Sequence, residues 1–206
     1  MRIITGTARG TKLETLDSDA TRPTSDKVKE AIFSMIQFEI EDRRVLDLFG
    51  GSGQLALEAL SRGADRATII DESREAVNLI INNAKHAKLY DRCRISAISY
   101  AAFLKGFSDA DKFNIIFLDP PYGTPLMHDS LKLLSEHDVT APGALIVCES
   151  DTQPTKKKNH EKKDPEKLAS SVLHDVFSDD EALMDKYELQ RSTVYGRTRV
   201  TVLLKK

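Results

Sequence analysis

The 206-residue sequence has only two cysteines, Cys93 and Cys148. They lie far apart, each inside a segment of strand character, so neither a disulfide framework nor a thiolate metal site follows from them. Buried free thiols in a reducing compartment fit this usage. There is no HExxH and no Cys/His cluster, so no metal is expected. No apolar run is long enough to span a bilayer. The opening Met1-Arg2-Ile3-Ile4-Thr5-Gly6 lacks the hydrophobic region of a signal peptide. A cytoplasmic protein with no membrane partner is expected. Internal repeats are absent, and so is a strong net charge: the formal value is −2. What is present is ordinary for a globular chain, with 30% charged and 40% hydrophobic residues. The length allows one α/β domain with appendages, large enough to bury a core without staples.

The charge is unevenly spread. Residues 1–13 carry Arg2, Arg9 and Lys12 and no acid, the stretch 156–167 carries six lysines, and the tail from Lys186 is rich in arginine and lysine. A local basic face can hold phosphates even when the total is slightly acidic. Ordinary solvated surface explains the same charges.

Ile3-Ile4-Thr5 and Thr11-Lys12-Leu13-Glu14, with Gly6 and Gly10 between them, predict a short N-terminal hairpin. An extended Thr21-Arg22-Pro23-Thr24 follows, and Thr24 or Ser25 can cap a helix from about Asp26 to Phe38 with Val28, Ala31, Ile32, Met35 and Ile36 on its apolar face. From Val45 a strand–helix alternation begins. Strands are expected at 45–49, 67–71, 94–98, 113–118 and 144–148, with helices after each of the first four. Short apolar strands alternating with helices mean a parallel, doubly wound α/β sheet. The polar, charged stretch from Asp151 to Lys167 reads as an exposed loop, with a short helix possible near 166–177. Tyr187–Val194 and Thr198–Leu204, flanking Tyr195-Gly196-Arg197, predict a closing antiparallel hairpin. The division expected is an arm over residues 1–24 and one domain over 25–206 carrying a charged insertion at about 151–185.

Two motifs carry chemistry. Asp119-Pro120-Pro121-Tyr122 follows the strand Phe113–Leu118. Asp119 can accept a hydrogen bond from an exocyclic amine, and the carbonyl of Pro120 can accept a second, since Pro121 bars it from a helix. Tyr122 can lie over the face of a base. A plain Asp-Pro turn is the alternative. The second motif, Asp47-Leu48-Phe49-Gly50-Gly51-Ser52-Gly53, joins the first strand of the alternation to its helix, where glycines let backbone approach a ligand. Gly51 to Ala56 also fits G-x-G-x-x-G/A, so a dinucleotide must be weighed. However, Asp47 would face a pyrophosphate unfavourably, whereas it would attract a cationic amino-acid portion. Asp71, ending the next strand, can accept from both hydroxyls of a ribose. An adenosyl group bearing a sulfonium and an ammonium satisfies both acids, and capping or turn chemistry is the bland alternative for each.

Together these residues resemble a class I S-adenosylmethionine-dependent methyltransferase of the amino-methylating kind, with its (Asn/Asp)-Pro-Pro-(Tyr/Phe) motif. The flanks narrow the likeness. Met1-Arg2-Ile3-Ile4-Thr5-Gly6 with Arg9-Gly10, Thr21-Arg22-Pro23-Thr24, Leu57-Glu58-Ala59-Leu60-Ser61-Arg62-Gly63-Ala64, and Tyr195-Gly196-Arg197-Thr198 are similar to the RsmD family. The resemblance implies a Rossmann-like sheet of seven strands with a C-terminal antiparallel hairpin and a small N-terminal hairpin extension. It implies methylation of N2 of one guanine in 16S ribosomal RNA, with S-adenosylmethionine as donor and the small ribosomal subunit or an assembly intermediate as partner; a monomer is the default.

By that resemblance Asp119, Pro120 and Tyr122 are the catalytic set. Asp47, Phe49, Gly51, Ser52 and Gly53 hold the cofactor with Asp71, Glu72, Ser99 and Tyr100. Arg9, Arg22, Thr24, Pro121 and Tyr122 meet the substrate. The chain departs from the family at Gly50, where Ala is usual, at Asp71, where Glu is frequent, and at Ser99, where an Asp that would meet adenine is common. The 151–185 stretch is longer and more charged than usual. Rival readings are an adenine-N6 or DNA methyltransferase, a nicotinamide-dependent oxidoreductase using the Gly51–Ala56 loop, and a catalytically silent RNA-binding module.

Overall fold

A computed structural model describes residues 1–16, 25–108, 112–152, 172 and 175–206. Seven strands form one sheet in the order β3-β2-β1-β4-β5-β7-β6. They are β1 (Arg44–Asp47), β2 (Arg66–Asp71), β3 (Cys93–Ala97), β4 (Phe113–Leu118), β5 (Thr140–Asp151), β6 (Tyr187–Tyr195) and β7 (Thr198–Lys205). Strands β1 to β5 are parallel, and β7 runs antiparallel between β5 and β6. The parallel strands are apolar because helices cover both of their faces. Ile69, Ile116 and Ile146, for example, are fully buried.

Strand β1 pairs with β2 on one side and β4 on the other, with Asp47 opposite Ile69 and Phe117. The chain order reverses here, and the crevice outside such a reversal is where open α/β sheets bind ligands. The glycine loop leaves β1 and the Asp119 loop leaves β4, so the two motifs emerge side by side.

The helices are α1 (Asp26–Met35), α2 (Gln54–Ser61), α3 (Arg74–His86), α4 (Tyr100–Gly106), α5 (Leu126–Glu136) and the short α6 (Glu181–Met184). Ser25 caps α1 by accepting from the Val28 N–H at 3.3 Å. Helices α1, α2 and α3 cover one face of the sheet and α4, α5 and α6 the other.

Three elements differ from the sequence expectation. β5 begins at Thr140, earlier than the apolar run suggests, and its pairing with β4 skips between Phe113 and Ile115. The added segment holds Pro142 and Gly143, and Gly143 has φ 72°, which marks a bulge rather than a strand start. The N-terminal hairpin is nearly loop-like. One bridge, Arg2 to Lys12, and hydrogen bonds such as Ile3 N to Thr11 O (2.9 Å) hold it. Its Ile3, Ala8 and Leu13 are buried in the same core as α1 and α2. Finally, α1 buries Lys29 and Phe33, which break the simple apolar stripe. The helix expected near 166–177 lies mostly outside the described residues.

Candidate active site

The glycine loop turns tightly after β1. Gly50 N–H donates to Ile70 O and Gly53 N–H to Gly50 O, both at 2.7 Å. Gly51 and Gly53 sit at φ 54° and 79°, where a side chain would be strained. Gly50 is small for a different reason: a Cβ there would lie 2.7 Å from Ile69 Cγ2 and 2.9 Å from Ile80 Cδ1. An alanine here therefore requires these two isoleucines to move.

Asp71 reaches under the loop. Its Oδ2 accepts from Gly51 N–H and its Oδ1 from Ser73 N–H, both at 2.9 Å. Each carboxylate oxygen keeps a further lone pair, so Asp71 braces the loop and can still accept from a ligand. Asp47 is buried, 1% exposed, and its Oδ1 has no hydrogen-bond partner. Burial pushes its carboxyl up to about 7, and Asp71 adds to this, while the backbone N–H groups of Phe49 and Ala56 hold it back. An orphaned carboxylate oxygen in a low-dielectric wall is a site that awaits a cation or a donor.

Asp47, Asp71 and Asp119 all line one cavity of about 340 Å³, within the range of small-molecule sites. Phe49 and Tyr100, with ring centroids 5.5 Å apart, line it as well, as do Gly51, Ser52 and the exposed Glu72. The Asp119 loop adds Pro120, Pro121 and Tyr122 to the lining. Pro120 is buried and Pro121 exposed. Thr124 Oγ1 donates to Pro121 O at 2.7 Å and closes the turn. Tyr122 is 41% exposed, and its hydroxyl donates to Glu149 Oε1 at 3.0 Å. Beyond the loop a second groove of about 790 Å³ shares Pro120, Pro121 and Tyr122 with the first cavity.

Some candidates fall elsewhere. Ser99 does not line the cavity: its hydroxyl caps α4, accepting from Ala102 N–H at 3.3 Å. Gly53 is likewise off the wall and serves as the N-cap of α2. Arg9 is exposed on the arm's turn, beside the Ser61 end of α2, and does not line the cavity. Arg22 and Thr24 lie outside the described residues. Several basic tail residues are spent inside the molecule. Arg197 pairs with Asp151 (3.1 Å), Arg199 with Asp175 (3.4 Å), and Arg191 and Lys205 donate to the carbonyls of Met35 and Leu134.

Sequence reasoning missed the arm as a wall. Met1, Thr15 and Leu16 line the cavity. Asn83 on α3 ties them in: its amide donates to Ser52 O (2.9 Å) and Glu14 O (3.0 Å), and its Oδ1 accepts from Glu14 N–H (2.9 Å). At the other end, Glu58 of α2 accepts from Ile4 N–H (2.7 Å), Thr5 N–H (3.0 Å) and Arg62 Nε (2.8 Å), and pairs with the fully buried Lys29 at 3.7 Å. Ser61 donates to Thr5 O at 2.6 Å and accepts from Ala8 N–H at 3.0 Å. The stretch from Leu57 to Ala64 is thus a dock for the arm. No local signal in it tells of this, because its partners lie more than fifty residues away in the chain.

The model for the family described as conserved hypothetical protein 95 matches residues 1–174. Ribosomal RNA small subunit methyltransferase D of Escherichia coli strain K12 is 38% identical over 153 residues, 74% of this chain and 76% of that protein. The protein of the same name from Haemophilus influenzae is 36% identical over 152 residues, 73% of this chain and 79% of its own. The chain belongs to the RsmD family. The RsmD-family assignment extends to structure: the solved Escherichia coli protein yhhF superposes with a TM-score of 0.75 at 30% identity, covering 100% of this chain and 98% of that one. A Salinibacter ruber RNA methyltransferase, solved in complex with S-adenosyl-L-homocysteine, shares the fold at TM-score 0.60 and 16% identity, over 89% of this chain and 94% of that one. The chain is a methyltransferase with the seven-stranded fold that the family resemblance implies.

Proposed function

We propose that this RsmD-family enzyme moves a methyl group from S-adenosylmethionine to the exocyclic N2 of one guanine in the 16S RNA of the small ribosomal subunit, in the cytoplasm. One observation carries the reading: Asp119-Pro120-Pro121-Tyr122 and the glycine loop line a single cavity.

The donor set suits the cofactor. Asp47 offers a buried, unpartnered oxygen to an ammonium, and Asp71 keeps acceptor capacity for ribose hydroxyls. The aromatic pair Phe49 and Tyr100 offers flat surface to adenine. Two acids on the wall make a poor seat for a pyrophosphate, which weighs against a dinucleotide. S-adenosylmethionine, when bound, supplies an electrophilic methyl on a sulfonium. All else falls to the chain's own residues. Asp119 accepts from one N2 proton and the Pro120 carbonyl from the other, which turns the nitrogen lone pair out of the ring plane and toward the cavity. Positive charge moves onto N2 as its bond to the methyl forms and the methyl–sulfur bond breaks, and the fixed carboxylate of Asp119 favours that movement. The surplus N2 proton is then lost to water. Tyr122 stacks the extruded base, a contact worth ~1–3 kcal/mol. Orientation is the main contribution, since the transfer needs an in-line approach.

The relatives' name supports an RNA substrate in the small subunit, and the exposed Arg9 and Lys12 of the arm offer positive charge to its phosphates. The test is mass mapping of 16S RNA from a strain lacking the gene. One missing guanine methyl, restored by the purified enzyme with S-adenosylmethionine, is the expected result. An unchanged RNA, or a methyl on adenine, contradicts it.

A further inference from the structure

Tyr122 is held by a part of the molecule that never touches the cofactor cavity. Its hydroxyl donates to Glu149 Oε1 of β5 at 3.0 Å, and the side chain of Thr198, the first residue of β7, lies beside it. The register explains how two strands converge on one atom. Asp151 pairs with Thr198 and Glu149 with Val200, so Glu149 and Thr198 are diagonal neighbours on one face of the antiparallel pair. Glu149 is only 4% exposed, whereas Tyr122, on a loop outside any helix or strand, is 41% exposed. A buried carboxylate is costly to keep unless donors meet it, and the Tyr122 hydroxyl is one such donor. Burial together with Glu149 raises the Tyr122 phenol well above its ordinary value, so the hydroxyl stays a neutral donor.

Resting on the reading that Tyr122 stacks the target base, we infer that Glu149 and Thr198 are positioning residues: they fix the Tyr122 ring as a stacking platform, which makes the β5–β7 pair part of the transfer machinery. No residue of β6 or β7 lines the cofactor cavity, while β5 and β7 both contribute to the groove on the far side of Tyr122. The reversed strand thus acts on the target base and leaves the cofactor alone. The phenylalanine that the wider motif allows has no hydroxyl to tie, so tyrosine here carries a specific task.

A double-mutant cycle tests this. Tyr122→Phe, Glu149→Ala, their combination and Thr198→Val are compared in single-turnover methylation of undermethylated small-subunit particles, with S-adenosylhomocysteine affinity measured by calorimetry. Loss of a hydrogen bond to a charged group predicts a drop in rate of roughly tenfold or more for Tyr122→Phe and for Glu149→Ala. Cofactor affinity stays within about twofold, and Thr198→Val gives a smaller drop in the same direction. In the Tyr122→Phe background Glu149→Ala adds less than about a further twofold, because its route through the hydroxyl is already gone. An equal loss in both backgrounds, or a full-rate Tyr122→Phe, overturns the inference. A second readout does not need the reaction: with ring-labelled tyrosine, NMR relaxation of Tyr122 reports greater ring mobility in Thr198→Val and Glu149→Ala. A ring as rigid as in the parent overturns the tether. A parent enzyme that methylates no guanine would overturn the proposed function instead, and the ring readout would still decide the tether.

Discussion

Two hairpins flank the parallel sheet, and they are attached by opposite means. The C-terminal pair, β6 and β7, joins through a continuous ladder of seven β5–β7 pairs from Leu145–Leu204 to Asp151–Thr198. The N-terminal arm has one bridge of its own and is held by side chains, chiefly Glu58, Ser61 and Asn83. A ladder distributes its stability over many similar bonds, and a single side-chain loss is absorbed. A buried ion cluster concentrates it: Lys29 and Glu58 are both fully buried, so removing Glu58 leaves a buried ammonium without its ion pair. Burial pulls the Lys29 ammonium below its ordinary value, and Glu58 opposes that pull. Arg62 completes the group, bonded to Glu58 and lying 4.7 Å from the centroid of the Phe33 ring. Both hairpins serve the same rim from opposite sides. The arm closes the cofactor cavity through Met1, Thr15 and Leu16, while the C-terminal hairpin braces Tyr122.

The contrast predicts a graded series. Glu58→Ala strands Lys29 and two arm N–H groups, and urea unfolding should show a loss of about 3–5 kcal/mol. A loss under about 1 kcal/mol would mean that the arm is held by its apolar residues alone. Gly6→Ala comes next. Gly6 has φ 87°, and a Cβ there would lie 1.7 Å from the Ser61 carbonyl oxygen, which no side-chain rotation relieves. The arm should detach, seen as faster proteolysis near residue 10 and weaker S-adenosylhomocysteine binding, with the sheet intact. Gly50→Ala presses chiefly on two isoleucine side chains, with the Ile70 carbonyl oxygen at 3.2 Å, and should cost about 1–3 kcal/mol in thermal unfolding. Thr198→Val, on the ladder side, should stay within about 1 kcal/mol of the parent in the same assay.

A pH series separates the cavity from both attachments. The Asp47 carboxyl titrates near 7 in the folded protein, against 3.8 ordinarily. Its folded value is raised, so the folded state holds the proton more tightly, and this group's contribution to stability falls as pH rises between those two values. A cationic ligand favours the ionised form. S-adenosylhomocysteine affinity should therefore rise from about pH 6 to about pH 8, and Asp47→Asn should remove most of that slope. An identical slope in the variant would remove Asp47 from the ammonium's site.

The parallel half of the molecule was readable from sequence because its signals are local. Val45–Asp47, Ala67–Asp71 and Phe113–Leu118 are apolar runs that end in an acid or run into one, and glycines mark the one loop that must turn tightly. The cavity wall formed by Asp47, Asp71 and Asp119 follows from chain order alone, given a parallel sheet. What stayed hidden depends on pairing between distant residues. Glu58 resembled any helix-surface acid until the arm was seen to lie on it. Glu149 resembled the end of an apolar strand until Tyr122 reached it. Ser99 had the residue type for a ligand contact, yet the start of α4 claims its hydroxyl.

The most direct measurement is single-turnover methyl transfer by Asp119→Ala to undermethylated small-subunit RNA, with S-adenosylhomocysteine calorimetry on the same preparation. The account predicts a rate at least about a hundredfold lower, with cofactor affinity within about twofold of the parent. Transfer at the parent rate, or a loss explained entirely by weaker cofactor binding, would contradict the assignment of Asp119 to the guanine amine.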